Sequence, residues 1–408
     1  MIPEGLPESR VAIEGGKPTR DKFLPFGAPA IGEEEIAEVV ATLRSGWIGQ
    51  GARVERFERE FAAAVGAAHA VAVSSCTAAL HLSLVARGLR PGDEVLVPAL
   101  TFAATATAVE HAAGVPVLCD VDPETLLIDL EDAERRVTRR TRSIVPVHFG
   151  GLPCPLDDVM HFADAHSLTV VEDAAHAVGA RLNGRPIGSF DTLCCFSFYA
   201  NKNLTTGEGG MITLRDGKVA ERVRMLRLHG LSTDAWRRYS TKSFVPSELC
   251  ALGFKYNLTD IQAAIGIHQL AKLERHQRRR EELAALYDGV LGEFPGVSTQ
   301  PRTLSGASIR HALHLYLLVL DPDRFSVGRD EIVAAIRAEN VGAAVHYRPL
   351  HLEPYFTERL GHAPEDFPNA LEAGRRVLTL PLSPGMSDED ADDVVHATLK
   401  VLRRYAHR

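Results

Sequence analysis

No stretch of this sequence is apolar for long enough to cross a bilayer, and Met1-Ile2-Pro3-Glu4-Gly5 lacks the charged-then-apolar order of an export signal. Positive charge is in deficit. Lys and Arg number 45 against 53 Asp and Glu, a formal net charge of −8 that removes any general attraction to nucleic acid or an anionic membrane. A phosphate bound here must be held by a shaped site. The six cysteines show no Cys-x-x-Cys spacing and read as reduced, mostly buried thiols of a cytoplasmic protein. In that setting Asn203-Leu204-Thr205 and Asn257-Leu258-Thr259 mean nothing as glycosylation triplets. A nucleotide P-loop is missing, because Gly16-Lys17 runs into Pro18, and the glycines at 207, 209 and 210 do not make a Gly-x-Gly-x-x-Gly turn. Histidines gather in the last third, but no His-Glu-x-x-His or Cys–His spacing supports a metal site, and none is expected.

What is present is regular. The 408 residues are too many for one compact core, so more than one domain is expected: an arm over 1–30, a large domain over 31–280 and a smaller α+β domain over 281–408. Helices are expected at 33–43 and 54–65. From residue 68, short apolar runs at 70–74, 94–98, 117–121, 143–149 and 168–172 alternate with helical patterns near 77–87, 103–113, 130–137 and 156–166. This alternation predicts an α/β fold with a mostly parallel central sheet and helices on both faces. Ligands of such sheets collect beyond the carboxyl ends of the strands. Thr259-Asp260-Ile261-Gln262 reads as a capping box opening a long helix. Beyond it, 313–320 and 343–348 read as strands and 329–338 and 388–405 as helices.

Four strand ends carry candidate chemistry. Ser75-Cys76-Thr77-Ala78 opens a helix and reads either as an anion site or as an ordinary serine N-cap. Ala99-Leu100-Thr101-Phe102 offers an aromatic that can stack on a planar ring. Gly150-Gly151 follows a strand with His148 near its end. Asp173-Ala174-Ala175-His176 follows another, and a carboxylate there needs a partner, either a protonated ring nitrogen or its own helix start. A fifth end is the sharpest. The apolar run 193–199 delivers Lys202 into a loop that returns through Gly207-Glu208-Gly209-Gly210. Taking an ammonium out of water is costly, and the remedy that uses the cost is to deprotonate the amine and let it attack an aldehyde. The alternative is a solvated loop lysine. Trp47, between glycines, reads as a plug for a surface hollow.

Val171-Glu172-Asp173-Ala174-Ala175-His176-Ala177, Phe196-Ser197-Phe198-Tyr199-Ala200-Asn201-Lys202-Asn203-Leu204 and Gly207-Glu208-Gly209-Gly210, taken together, are specific. The sequence resembles the sugar aminotransferases of the DegT/DnrJ/EryC1/StrS family, which use pyridoxal 5'-phosphate (PLP) and have the type I, aspartate-aminotransferase fold. The likeness runs from Ser45-Gly46-Trp47 to Pro381-Leu382 and includes Tyr256-Asn257-Leu258-Thr259-Asp260. Segments 173–179 and 229–235 look closest to the branch that makes UDP-4-amino-4-deoxy-L-arabinose.

The resemblance implies roles. Lys202 holds the cofactor covalently and shuttles the proton, Asp173 pairs with the pyridine nitrogen, and His176 lies near the ring hydroxyl. Thr77, Ser197 and the backbone amides of Cys76, Thr77 and Ala78 hold the phosphate, while Phe102 stacks on the ring. Asn257 reaches the site of the other subunit of a homodimer. His314, His346, Tyr347, Arg348 and His351 are expected near the cleft, and 231–250, with Trp236, Arg237, Arg238 and Tyr239, bears on the acceptor. The implied activity moves an amino group from an amino acid, L-glutamate, to a nucleotide-linked keto sugar, a 4-keto sugar, with pyridoxamine phosphate as the intermediate form. A keto-cyclitol acceptor with glutamine as donor, or a PLP-binding sensor without turnover, are the alternatives. A dehydrating offshoot of the family carries histidine in place of the lysine, and Lys202 argues against it.

Overall fold

Apolar runs with little alternation dictate strands covered on both faces, and the structure, a computed structural model describing residues 10–232 and 246–407, places them so. Strands β1 (His69–Val73), β2 (Glu94–Pro98), β3 (Val115–Cys119), β4 (Thr141–Ile144) and β5 (Thr169–Asp173) are followed by a small ribbon, β6 (Arg181–Leu182) and β7 (Arg185–Pro186), and then by β8 (Leu193–Ser197) and β9 (Gly210–Leu214). The seven-stranded sheet has the order β1-β9-β8-β5-β4-β2-β3. Its pairs are parallel except those made by β9, which runs against both β1 and β8. Helices α1 (Glu33–Arg44), α2 (Ala52–Val65), α3 (Cys76–Ala86), α4 (Ala104–His111), α5 (Leu130–Arg136), α6 (Leu156–His166) and α7 (Gly217–Leu226) complete this layer.

The long helix is α8 (Asp260–Leu291). Thr259 and Gln262 form the expected capping box at its start. Its far end, through Leu283, Tyr287 and Leu291, enters a second hydrophobic core shared with Tyr316, Leu318, Ile332 and Leu402. That core is built on a three-stranded sheet, β10 (Val297–Thr299), β12 (Tyr316–Leu320) and β13 (Val377–Leu380), while β11 (Ile309–Arg310) joins the β6–β7 ribbon. Helices α9 (Arg329–Ala338) and α12 (Asp388–Tyr405), the latter capped by Ser387, pack on it, while α10 (Pro354–Leu360) and α11 (Pro368–Arg376) bury Phe356, Ala370 and Ala373 in the first core. Val11 is buried in this second core, and the Ala12 amide donates to Glu339 Oε1 at 2.7 Å.

β3 lies two residues before the expected 117–121, and three other stretches differ from expectation for local reasons. β4 ends at Ile144 where 143–149 was read as extended, because Pro146 has no N–H for the ladder. β12 starts at Tyr316, three residues late, since Leu313 sits at φ +51° in the left-handed region. Residues 343–348 form no strand. Only Ala344 pairs, with Thr379, and the chain then turns into the cleft described next.

Candidate active site

The carboxyl ends of β5 and β8 and the start of α3 face a cleft of about 360 Å³. Its lining includes Thr77, Phe102, Asp173, His176, Ser197 and Lys202, with His314, His346 and Tyr347 from the second core's side. The structure thus brings together residues that the sequence scatters over 270 positions, as the distance from Thr77 to Tyr347 (347 − 77) shows.

Asp173 ends β5 and is buried. Its Oδ2 accepts from the Thr105 hydroxyl at 2.8 Å and its Oδ1 from the Ala175 amide at 3.1 Å. Burial pushes its carboxyl above the usual carboxylate range, more than these bonds and the nearby Lys202 charge pull it down. Lys202 shows the opposite response. Burial lowers its amine to about 8, against the pull of Cys76 and Asp173. A buried acid and a half-buried amine, each pushed toward its neutral form, face one cleft.

The start of α3 is built for an anion. Ser75 Oγ accepts the Ala78 amide at 3.0 Å, which spends that amide on the cap and leaves those of Cys76 and Thr77 in the first turn, where no helical carbonyl reaches them. Gly210, opening β9, makes the approach possible: a Cβ there would lie 2.6 Å from the Ser75 carbonyl and 2.8 Å from the Cys76 nitrogen. Ser197, at the end of β8, adds a hydroxyl to the lining.

His176 accepts from the Gly150 amide at Nδ1, 3.3 Å away, so its Nε2 carries the hydrogen and donates to the Tyr347 hydroxyl at 3.2 Å. Burial first, then the charge of Lys202, hold this ring well below its ordinary protonation range. Gly151, at φ +104°, carries the chain past the His176 carbonyl at a point where a Cβ would come within 2.9 Å. Phe102 is 58% exposed at the cleft mouth, its ring 5.7 Å from that of Tyr347.

Other expected residues lie elsewhere. Asn257 does not line this chain's cleft; it pairs with Val73 beyond β1 and its side chain meets Lys255. Arg348 is exposed and donates to the Leu352 carbonyl at 2.7 Å, and His351 is buried against the Pro364 carbonyl. His148 is fully buried with Nε2 2.8 Å from Glu172 Oε2. Trp47 donates to the Gln50 carbonyl at 2.9 Å and stands outside the cleft. Trp236, Arg237, Arg238 and Tyr239 fall outside the described residues. Sequence reading missed Thr105 and Asn203; Thr105 in the first turn of α4 and Thr101, three residues ahead of that helix, were the available sign of a hydroxyl pair. Among the described residues no group of His, Cys, Asp and Glu is placed to hold a metal ion, and none of the described helices is long and apolar enough to cross a membrane.

The donor set fits PLP on this chain's own terms. Asp173 is a buried carboxylate in want of a cation, which a protonated ring nitrogen supplies. The α3 start with Thr77 and Ser197 suits a phosphate, and Lys202 presents an amine depressed toward reactivity.

Comparison with known proteins agrees. The model of the DegT/DnrJ/EryC1/StrS aminotransferase family matches residues 29–399. The spore coat polysaccharide biosynthesis protein SpsC of Bacillus subtilis is 48% identical over 385 residues, 94% of this chain and 98% of that protein. The PLP form of the sugar aminotransferase Spr1654 of Streptococcus pneumoniae superposes with a TM-score of 0.85 at 30% identity, covering 94% of this chain and 99% of the other. PseC of Helicobacter pylori, an aminotransferase of pseudoaminic acid biosynthesis, gives 0.87 at 26% identity over 94% of this chain and all (100%) of its own. The fold is the PLP-dependent aminotransferase fold, the cofactor is PLP, and this chain belongs to the DegT/DnrJ/EryC1/StrS family of aminotransferases.

Proposed function

We propose that the protein transfers an amino group from L-glutamate to the keto group of a nucleotide-linked 4-keto sugar, as a homodimer in the cytoplasm, in the making of an amino sugar. The observation that carries the reading is the Lys202 amine, lowered to about 8, in one cleft with the buried Asp173 carboxylate. Support for a sugar acceptor comes from the relatives, one a spore coat polysaccharide protein and another acting in pseudoaminic acid biosynthesis. The likeness to the arabinose branch rests on 173–179 and 229–235, and of these 233–235 lie outside the described residues.

The cofactor supplies an electron sink for a carbanion on the substrate carbon. The chain's residues do the rest. Asp173 holds a proton on the ring nitrogen by charge pairing, and Thr105 and the Ala175 amide fix the carboxylate for it. The α3 start, Thr77 and Ser197 anchor the phosphate and so set the ring's place. Lys202 Nζ, when free, takes a proton from the substrate carbon bearing the amino group and returns it on the other side of the exchange, general acid–base work of about 10²–10⁴-fold. His176 and Tyr347, bonded to each other, border the same space. Asn257, away from its own chain's cleft, is the residue we assign to the partner's phosphate site.

The test is to load the protein with the aminated cofactor and offer nucleotide-linked 4-keto sugars, 3-keto sugars and keto-inositols in turn. Loss of the aminated absorbance with a nucleotide-linked 4-keto sugar alone supports the reading. Loss with a keto-inositol alone replaces the acceptor by a cyclitol, and no loss with any of them contradicts a sugar acceptor.

A further inference from the structure

Lys202 Nζ lies 3.2 Å from Nε2 of His314, and among the described residues this is the side chain to which that amine hydrogen bonds. The other ring nitrogen, Nδ1, faces Oδ1 of Asn203 at 3.3 Å. Asn203 cannot be turned over. Its amide nitrogen donates to the Ala312 carbonyl at 2.7 Å and to the Val178 carbonyl at 3.4 Å, and an oxygen in that place would face two acceptors. Oδ1 can only accept, so Nδ1 of His314 must carry a hydrogen. A neutral imidazole carries one, which leaves Nε2 as a bare lone pair aimed at Lys202.

The ring is neutral because burial first, then the Lys202 charge, hold it well below its ordinary protonation range, with His176, Arg280 and His346 acting in the same direction. The backbone is fixed too. Arg280, reaching from α8, donates to the carbonyl of Leu313, the residue before His314, at 3.1 Å and to that of Leu382, just past β13, at 2.7 Å. Asn203 is the residue after Lys202, so one short segment carries both the amine and the group that orients its acceptor.

We propose that His314, locked by Asn203 with its hydrogen on Nδ1, is the positioning residue for the free Lys202 amine. It accepts one N–H of that amine at Nε2 and so leaves the nitrogen lone pair free to face the cleft. The inference rests on Lys202 being the residue that attaches the cofactor. A neutral acceptor favours the ammonium over the amine, so His314 opposes the burial that lowers Lys202. Asp173 and Cys76 act in the same direction, and the same cleft holds His176 and His346, both neutral, with Tyr347, Tyr199 and Glu208.

The experiment uses the full-length chain freed of cofactor, so that it reads Lys202 without turnover. The rate of dinitrophenylation of the Lys202 peptide is measured from pH 5 to 11 and normalised to its high-pH plateau, for the wild type, His314→Leu and His314→Gln. With the acceptor lost in His314→Leu, the normalised rate at pH 6 rises about tenfold, since a hydrogen bond to a charged group is of that size. His314→Gln, which keeps an acceptor of similar reach, stays within about threefold of wild type. An unchanged leucine profile overturns the proposal, and so does a leucine shift that glutamine fails to restore, which assigns the change to packing. If the leucine variant does not fold, His314→Met replaces it under the same criteria. Borohydride trapping of PLP on the wild-type Lys202 peptide, run beside this, reports separately on the attachment role.

Discussion

Thr105 Oγ1, in the first turn of α4, donates to Asp173 Oδ2 at 2.8 Å while standing 2.8 Å from the hydroxyl of Thr101, just ahead of that helix, so a pair of hydroxyls backs the acid of the cleft. The carboxylate is buried beyond the reach of bulk water, and a hydrogen bond to a charged group contributes about 1.5–3 kcal/mol. Thr105→Val keeps the shape and removes the bond. The Kd for PLP, followed by fluorescence titration, rises roughly tenfold, and the melting temperature falls by about a few degrees, the cost of leaving the Asp173 oxygen without that donor.

Lys202 determines how loading depends on pH. The neutral amine attacks the aldehyde, and burial lowers this amine to about 8. The rate constant for PLP attachment therefore rises from pH 6 to about 8 and then levels. An ordinary lysine would go on rising toward ~10.4. Stopped-flow absorbance of the protein mixed with PLP distinguishes the two.

The same shift makes a stability prediction of definite sign. The folded-state value lies below that of the unfolded chain, so at pH 7 the cofactor-free protein bears the cost of a buried ammonium, and stability is regained as pH rises from about 8 to 10.5. Lys202→Met removes the cost. At pH 7 the variant is more stable than wild type by about 1 kcal/mol, discounted for the partial exposure of the side chain, and the difference shrinks across that window. Urea denaturation of both proteins without cofactor, at pH 7 and pH 10, checks it.

Gly210 allows β9 to run under the start of α3, where a Cβ would meet the Ser75 carbonyl at 2.6 Å. Gly210→Ala displaces that helix start. The expected results are a loss of about 1–3 kcal/mol of stability and a weaker hold on the cofactor phosphate. Calorimetry with pyridoxal and with PLP separates the second effect, because only the phosphorylated ligand loses affinity.

Much of this was legible in the chain because the large sheet is made of uninterrupted apolar runs, and β2, α6, α9 and α12 stand where the patterns put them. The misses have one cause each. Pro146 ended β4 early, the left-handed Leu313 delayed β12, and in the run at 343–348 Ala343 goes to the second core while His346 and Tyr347 turn into the cleft wall. Lys202 and Asp173 could be found because Asp173 ends β5 and Lys202 lies in the loop that follows β8. Thr105 and Asn203 could not, since a threonine in a helix and an asparagine in a loop are common, and only the distances to Asp173 and His314 give them work.

The account stands on the nitrogen of Lys202. Incubation with PLP, reduction with borohydride and mass analysis of the digested chain should place one phosphopyridoxyl group on the peptide that carries residue 202, with Lys202→Ala left unlabelled and colourless. A label on another lysine, or a wild-type protein that stays colourless with the Lys202 peptide unmodified, would contradict it.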